Sequence, residues 1–154
     1  FEDEDFISDV AKIIERSQVD PKYIEMEITE SLFSKDPEDV LRKIYELKEL
    51  GVSIAIDDFG KGYSSISRLK RVPFDRLKID KELVDYIGLD GQQAPLTESL
   101  ISLARIFGAS VTAEGVETKD QADILKSIHC DEIQGYYYSR PLSSEVLEEF
   151  LKKE

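Results

Sequence analysis

The chain has 154 residues, enough for one ordinary domain and too few for two comfortable ones. Hydrophobic residues make up 41% and charged residues 34%, a balance that excludes an intrinsically disordered chain. A formal net charge of -13 argues against a nucleic-acid polymer or an anionic membrane as partner, since both require a basic face.

The apolar pattern switches repeatedly between short β-like runs and longer helical ones. The first predicted strand covers 24–28 and is followed by Thr29-Glu30-Ser31. Asp36 or Asp39 can then start a helix whose apolar face includes Val40, Ile44 and Leu47 and which stops at Gly51. A second strand over 52–56 runs into Asp57-Asp58-Phe59-Gly60. After a Gly-rich loop come a short helix near 65–70, Pro73, a strand over 76–80 and a short helix over 81–87. The polar stretch 90–95 reads as a loop, and the helix 96–107 ends at Gly108. The strand 110–113 leads into Glu114-Gly115-Val116-Glu117. Then follow a helix over 119–128, an extended segment over 132–136 and a closing helix over 144–152 capped by Ser143 or Ser144. Alternating strands and helices predict a parallel sheet with crossover helices, either doubly wound or closed into a barrel.

What stands at the strand ends is the informative feature. In order these are Glu27 with Glu30, Asp57 with Asp58, Lys78 with Asp80, Glu114 with Glu117, and Gln134. Parallel strands bring their C-terminal ends to one face, so these groups are expected to converge at a single mouth. Asp57 and Asp58 are adjacent carboxylates that repel unless a cation or proton compensates, and on their own they also fit a helix cap with an exposed neighbour. With Glu27 and Glu114 on the same face, a hard divalent ion with oxygen ligands explains them better. An acidic chain can hold phosphate through such ions. Without a His or Cys cluster a zinc site is not expected. Lys78 points to the same side as Asp80, either as an ion-pair partner or as a fixed charge toward phosphate or water. Phe59-Gly60-Lys61-Gly62 has neither the spacing nor the ending of a Walker loop. Its glycines instead suit a loop over the mouth, with Glu30 a candidate to hold it. His129 and Cys130 read as packing residues, and Tyr136, Tyr137 and Tyr138 as residues alternating across a strand.

Five strings together, Glu27-Ile28-Thr29-Glu30-Ser31, Asp57-Asp58-Phe59-Gly60, Lys78-Ile79-Asp80, Ala113-Glu114-Gly115-Val116-Glu117 and Gln134-Gly135-Tyr136, resemble the EAL family of cyclic di-GMP phosphodiesterases over the whole chain. The resemblance implies a (β/α)8 TIM-like barrel of EAL type with one reversed strand. It also implies two Mg2+ or Mn2+ ions and hydrolysis of cyclic di-GMP to linear pGpG by in-line attack. Carried over, Glu27, Asp57 and Asp58 become metal ligands, with Asp57 the bridge. Lys78 and Glu114 become the groups that hold or activate the attacking water, and Glu114 also belongs to the metal shell. Gln134 would bind that water or a phosphate, Glu30 would order the loop after Asp58, and Asp80 and Glu117 would support the site from behind.

The sequence departs from the family in lacking the Glu-Ala-Leu signature, the following Leu-x-Arg and the Asn-x-Ser segment. A barrel of this class takes roughly 250 residues, so the expectation is one partial EAL domain over 1–154, truncated at its N-terminal side. Lys61 stands where the family usually has Thr, and Ser127-Ile128-His129-Cys130 replaces a more usual Leu-Gly-Cys. Neither change removes a ligand. The parent is expected to be an enzyme and the fragment inactive or weak, the alternative being a catalytically inactive receptor for cyclic di-GMP. Unpaired strand edges predict a homo-oligomer. A single cysteine, no apolar run near the roughly 18 residues of a membrane span and no basic leader predict a cytoplasmic chain without direct membrane contact. A membrane tether in the parent stays open. Without an initiator Met, the sequence is expected to begin inside something longer.

Overall fold

The computed structural model describes residues 1, 3–29, 31–32, 36–60, 69–87 and 94–152. Helix α1 (Phe6–Ser17) and a 3-10 turn (Pro21–Tyr23) precede strand β1 (Glu25–Thr29). Helix α2 (Pro37–Glu49), strand β2 (Ser53–Phe59), strand β3 (Arg76–Ile79) and the short α3 (Lys81–Asp85) follow. Then come α4 (Ala94–Ile106), β4 (Ser110–Ala113), α5 (Lys119–Ser127), β5 (Glu132–Ile133) and α6 (Ser144–Leu151). The predicted helix near 65–70 lies mostly outside the described residues.

All strand pairs are parallel and the order is β1-β2-β3-β4-β5. A doubly wound sheet reverses its strand order at a switch point. This sheet only advances, as the staves of a barrel do, which decides the choice that the helix pattern left open. Among the described residues β1 and β5 each pair with one neighbour.

The register separates the two faces by polarity. On one face lie Met26 and Ile28, Ile54 and Ile56, Leu77 and Ile79, Val111 and Ala113, and Ile133. Most of these are buried in one core with Ile44 and Leu47 of α2, Ile101 and Ala104 of α4, and Leu125 of α5. The other face carries Glu25, Glu27, Thr29, Ser53, Asp57, Arg76, Lys78, Ser110, Thr112 and Glu132, with Ala55 its one apolar member. Apolar burial at about 25 cal/mol per Å2 therefore holds the helices on one side only. The other side is held by charges.

Local signals explain the helix ends. Asp36 accepts the Asp39 N–H at 3.1 Å to start α2, and Thr118 with Gln121 forms a reciprocal capping box on α5. Gly51, with φ 89, supplies the left-handed turn after α2. The structure departs from the sequence expectation at one predicted strand and adds one helix. The strand expected over 132–136 stops at Ile133, because 135–138 form a turn. Tyr136, Tyr137 and Tyr138 therefore do not alternate across a strand, and all three are exposed. Helix α1 has no counterpart in the sequence reading, although its Phe6, Ile7, Val10 and Ile14 pack against the core.

Candidate active site

Strand β2 delivers its paired carboxylates through a bulge. Strict alternation would put Asp58 on the apolar face beside Ile56. Instead the register slips between Ile56 and Phe59, so three steps along β2 match two along β3. Asp58 takes a left-handed φ of 56, and Phe59 returns to the core opposite Ile79. One extra residue thus lets two successive aspartates leave the apolar face without turning a phenylalanine outward.

Lys78, buried on the polar face of β3, is the centre of the site. Its Nζ donates to Glu27 Oε1 of β1 at 2.5 Å and lies 2.8 Å from Glu114 Oε1 just past β4. Asp57 Oδ1 of β2 is 3.4 Å away. Burial pulls the Lys78 pKa down, but its hydrogen bonds to Glu114 and Glu27 and the charges of Glu114 and Asp57 more than reverse it. The ammonium is therefore held well above the usual lysine value and stays protonated at neutral pH. A second cationic tie, which the sequence reading missed, lies one step back along the strand. Arg76 reaches Glu25 of β1 at 2.8 Å, Thr112 of β4 at 2.9 Å and Glu132 of β5 at 2.6 Å. Charged residues at alternate strand positions look like a solvated edge in sequence; only the register shows that they share one face.

The carboxylates outnumber the cations. Glu25, Glu27, Asp57, Glu114 and Glu132 face two positive groups, Arg76 and Lys78, through the contacts just given. Asp57 Oδ1 is buried and accepts no hydrogen bond; the Lys78 ammonium approaches it only to 3.4 Å, which leaves lone pairs that a closer cation or donor would satisfy. Hard oxygen donors, excess negative charge and a buried carboxylate oxygen without a hydrogen bond fit a divalent ion. Among the described residues no three acidic, His or Cys side chains already stand together as a coordination shell. Lys78 sits between them.

Of the remaining predicted residues, Asp80 follows β3, Glu117 follows β4 and Gln134 follows β5. Asp80 is buried and caps α3, accepting the Glu82 N–H at 2.8 Å. Glu114 lines a cavity of about 340 Å3 together with Gln134, Glu117, Lys81, Gly115, Gly135 and Tyr136. Gln134 is bound through its backbone, donating N–H to Ala113 and accepting from Val116. Gly135 is where that corner touches, since a Cβ there would stand 2.0 Å from the Val116 carbonyl oxygen. Glu117 receives Lys81 at 2.9 Å, and Lys81 is a second residue that the sequence reading missed. Glu30, the expected loop anchor, and Lys61 and Gly62 of the loop lie outside the described residues. His129 is exposed, with a left-handed φ of 60 that lets it end the turn after α5 rather than pack. Cys130 does pack against the core as a free thiol, which burial pushes up in pKa.

Comparison with known proteins agrees with this geometry. The family model described as "EAL domain" matches residues 1–141. The chain is 37% identical over 146 residues to the cyclic di-GMP phosphodiesterase NbdA of Pseudomonas aeruginosa, covering 95% of this chain and 19% of that protein. The crystal structure of the EAL domain of Mycobacterium smegmatis DcpA superposes with a TM-score of 0.93 at 36% identity, over 99% of this chain and 69% of that one. A manganese and cyclic di-GMP complex of Klebsiella pneumoniae BlrP1 superposes with a TM-score of 0.84 at 31% identity, over 91% of this chain and 36% of that one. The chain thus spans about a fifth of the curated relative and about two-thirds of the solved DcpA domain. Five parallel staves, a polar inner face and these matches together establish that the chain belongs to the EAL domain family.

Proposed function

We propose that this chain carries the metal-binding half of a cyclic di-GMP phosphodiesterase site, and that the protein it serves opens one phosphodiester of cyclic di-GMP to give linear pGpG. The observation that carries this reading is Lys78, whose ammonium meets Glu27 of β1, Glu114 just past β4 and, at 3.4 Å, the buried Asp57 Oδ1 of β2 that accepts no hydrogen bond. Glu27, Asp57, Asp58 and Glu114 would hold two divalent ions, Mg2+ or Mn2+. Such ions supply charge neutralisation at the phosphate and a more acidic water.

The protein groups have separable tasks. Lys78 stays protonated, so it is suited to orient a water or hold a phosphate oxygen by charge, not to remove a proton. Glu114 has the carboxylate to accept the proton of the attacking water. Gln134, beside Glu114 in the cavity wall, offers a neutral amide to the same water or phosphate. Glu30 and Glu117 are proposed supports of the site, and Asp80 positions α3 behind Lys78. Because its sequence holds neither the family's Glu-Ala-Leu signature with the Leu-x-Arg that follows it nor the Asn-x-Ser segment, the chain on its own is expected to be inactive or weak. Cyclic di-GMP is the proposed partner, and the cytoplasm, which keeps a thiol such as Cys130 reduced, the proposed compartment. Among the described residues no helix is long and apolar enough to cross a membrane.

A second reading is a catalytically inactive receptor for the same nucleotide. It is favoured by the way Lys78 already neutralises Glu27 and Glu114 by direct contact. Conversion of cyclic di-GMP to pGpG with and without Mn2+, in the natural full-length protein, separates the two. Mn2+-dependent product supports the phosphodiesterase. Nucleotide binding without product supports the receptor.

A further inference from the structure

The corner between β3 and α3 grips the corner between β4 and α5 at two points. Lys78 meets Glu114 at 2.8 Å. Three residues later on both segments, Lys81 meets Glu117 at 2.9 Å. The first pair joins a buried lysine to a partly buried glutamate, and the second is about half exposed. Between the two carboxylates stands Gly115 with φ 69, where a Cβ would lie only 2.5 to 2.8 Å from the Lys81 side-chain carbons. The Lys81 stem therefore lies across the space that a side chain at 115 would need, and its ammonium also reaches Asp85 on α3 at 2.8 Å. Opposite this wall, the β5 corner is fixed by backbone bonds, Val116 N–H to the Gln134 carbonyl and Tyr137 N–H to the Val116 carbonyl.

We propose that Lys81 is a positioning residue for the site: by holding Glu117 and covering Gly115 it fixes the turn that presents Glu114 to Lys78 and to the cavity. The inference rests on the proposed role of Glu114. Glu114 begins this turn, its N–H bonded to the Ile79 carbonyl at 3.0 Å, and its carboxylate leaves β4 where regular pairing ends. The wall toward β5 has two backbone hydrogen bonds. The wall toward α3 has the Lys81 tie and the buried Gln121, whose amide donates to the Val84 carbonyl and accepts from Glu117 and Thr118 N–H. Lys81 is the part of that wall that faces the cavity.

Amide exchange at 114–118, measured by NMR on the chain itself, reads the turn without any turnover. The Lys81→Met variant keeps the stem and removes the charge. Exchange at Val116 and Glu117 should rise about two- to fivefold, the size expected when one exposed ion pair is lost. Glu117→Gln should give the same rise, and the double variant no more than either single one. In the natural full-length protein, Lys81→Met should lower kcat for cyclic di-GMP by a similar factor with KM little changed, and Lys81→Arg should restore it. Unchanged exchange in Lys81→Met overturns the inference. So does a double variant that sums the single effects. Raised exchange in a protein that hydrolyses no cyclic di-GMP leaves the tie in place and removes the phosphodiesterase reading instead.

Discussion

Replacing Lys78 by Met tests the electrostatic centre of the site most sharply. The substitution keeps an unbranched stem of similar length inside the sheet and removes only the ammonium. Three carboxylates then lose their nearest cation, at contacts of 2.5, 2.8 and 3.4 Å. Breaking a fully buried ion pair costs about 3–5 kcal/mol, and an exposed pair about 0–1 kcal/mol. Lys78 is buried while Glu114, Asp57 and Glu27 retain 20%, 22% and 49% side-chain exposure, so the cost falls between these limits, at about 2 kcal/mol. For a domain of this size that is about 4–8 °C in Tm. The pKa of Lys78 is raised on folding, so its stabilising contribution is complete below the ordinary lysine value and fades only as pH climbs above it. Urea melts at pH 7 should therefore show the full loss. Mn2+ should recover part of it, since a divalent ion supplies the missing charge. A variant as stable as the wild type at pH 7 without metal would refute the reasoning.

Other outcomes follow from the same geometry. Gly135→Ala should destabilise by more than about 2 kcal/mol, because the new methyl meets the Val116 backbone and not a movable side chain; denaturant midpoints check it. Arg76→Met should cost about 1 kcal/mol through lost contact with Glu25, Thr112 and Glu132, and Arg76→Lys should cost less, because one ammonium can keep part of the tie. Light scattering should find a dimer or larger species in the isolated chain, paired through the open edges of β1 and β5; a monodisperse monomer contradicts this.

The strand ends were legible in sequence because each apolar run breaks at a carboxylate or amide, and parallel strands bring those breaks to one face. That logic placed Glu27, Asp57, Lys78 and Glu114 at one end of the sheet, where three of them now surround the fourth. It could not show the bulge at Asp57–Asp58, since nothing in a string of residues announces a skipped register. The turn at 135–138 was hidden because tyrosines are good strand formers, while Gly135 is required by the close approach of Val116. Arg76, Glu25 and Glu132 were hidden for another reason. Their partners lie on strands 51 and 56 positions away, and only the β1–β5 register joins them.

The most direct test of the account is a calorimetric titration of the chain with Mn2+, wild type beside Asp57→Asn. Asn keeps the shape and one oxygen but loses the charge of the carboxylate whose buried oxygen accepts no hydrogen bond. The account predicts saturable binding in the wild type and a loss of at least about tenfold in the variant. Equal affinity in both, or no binding in the wild type, would contradict the claim that these carboxylates form a divalent-metal site.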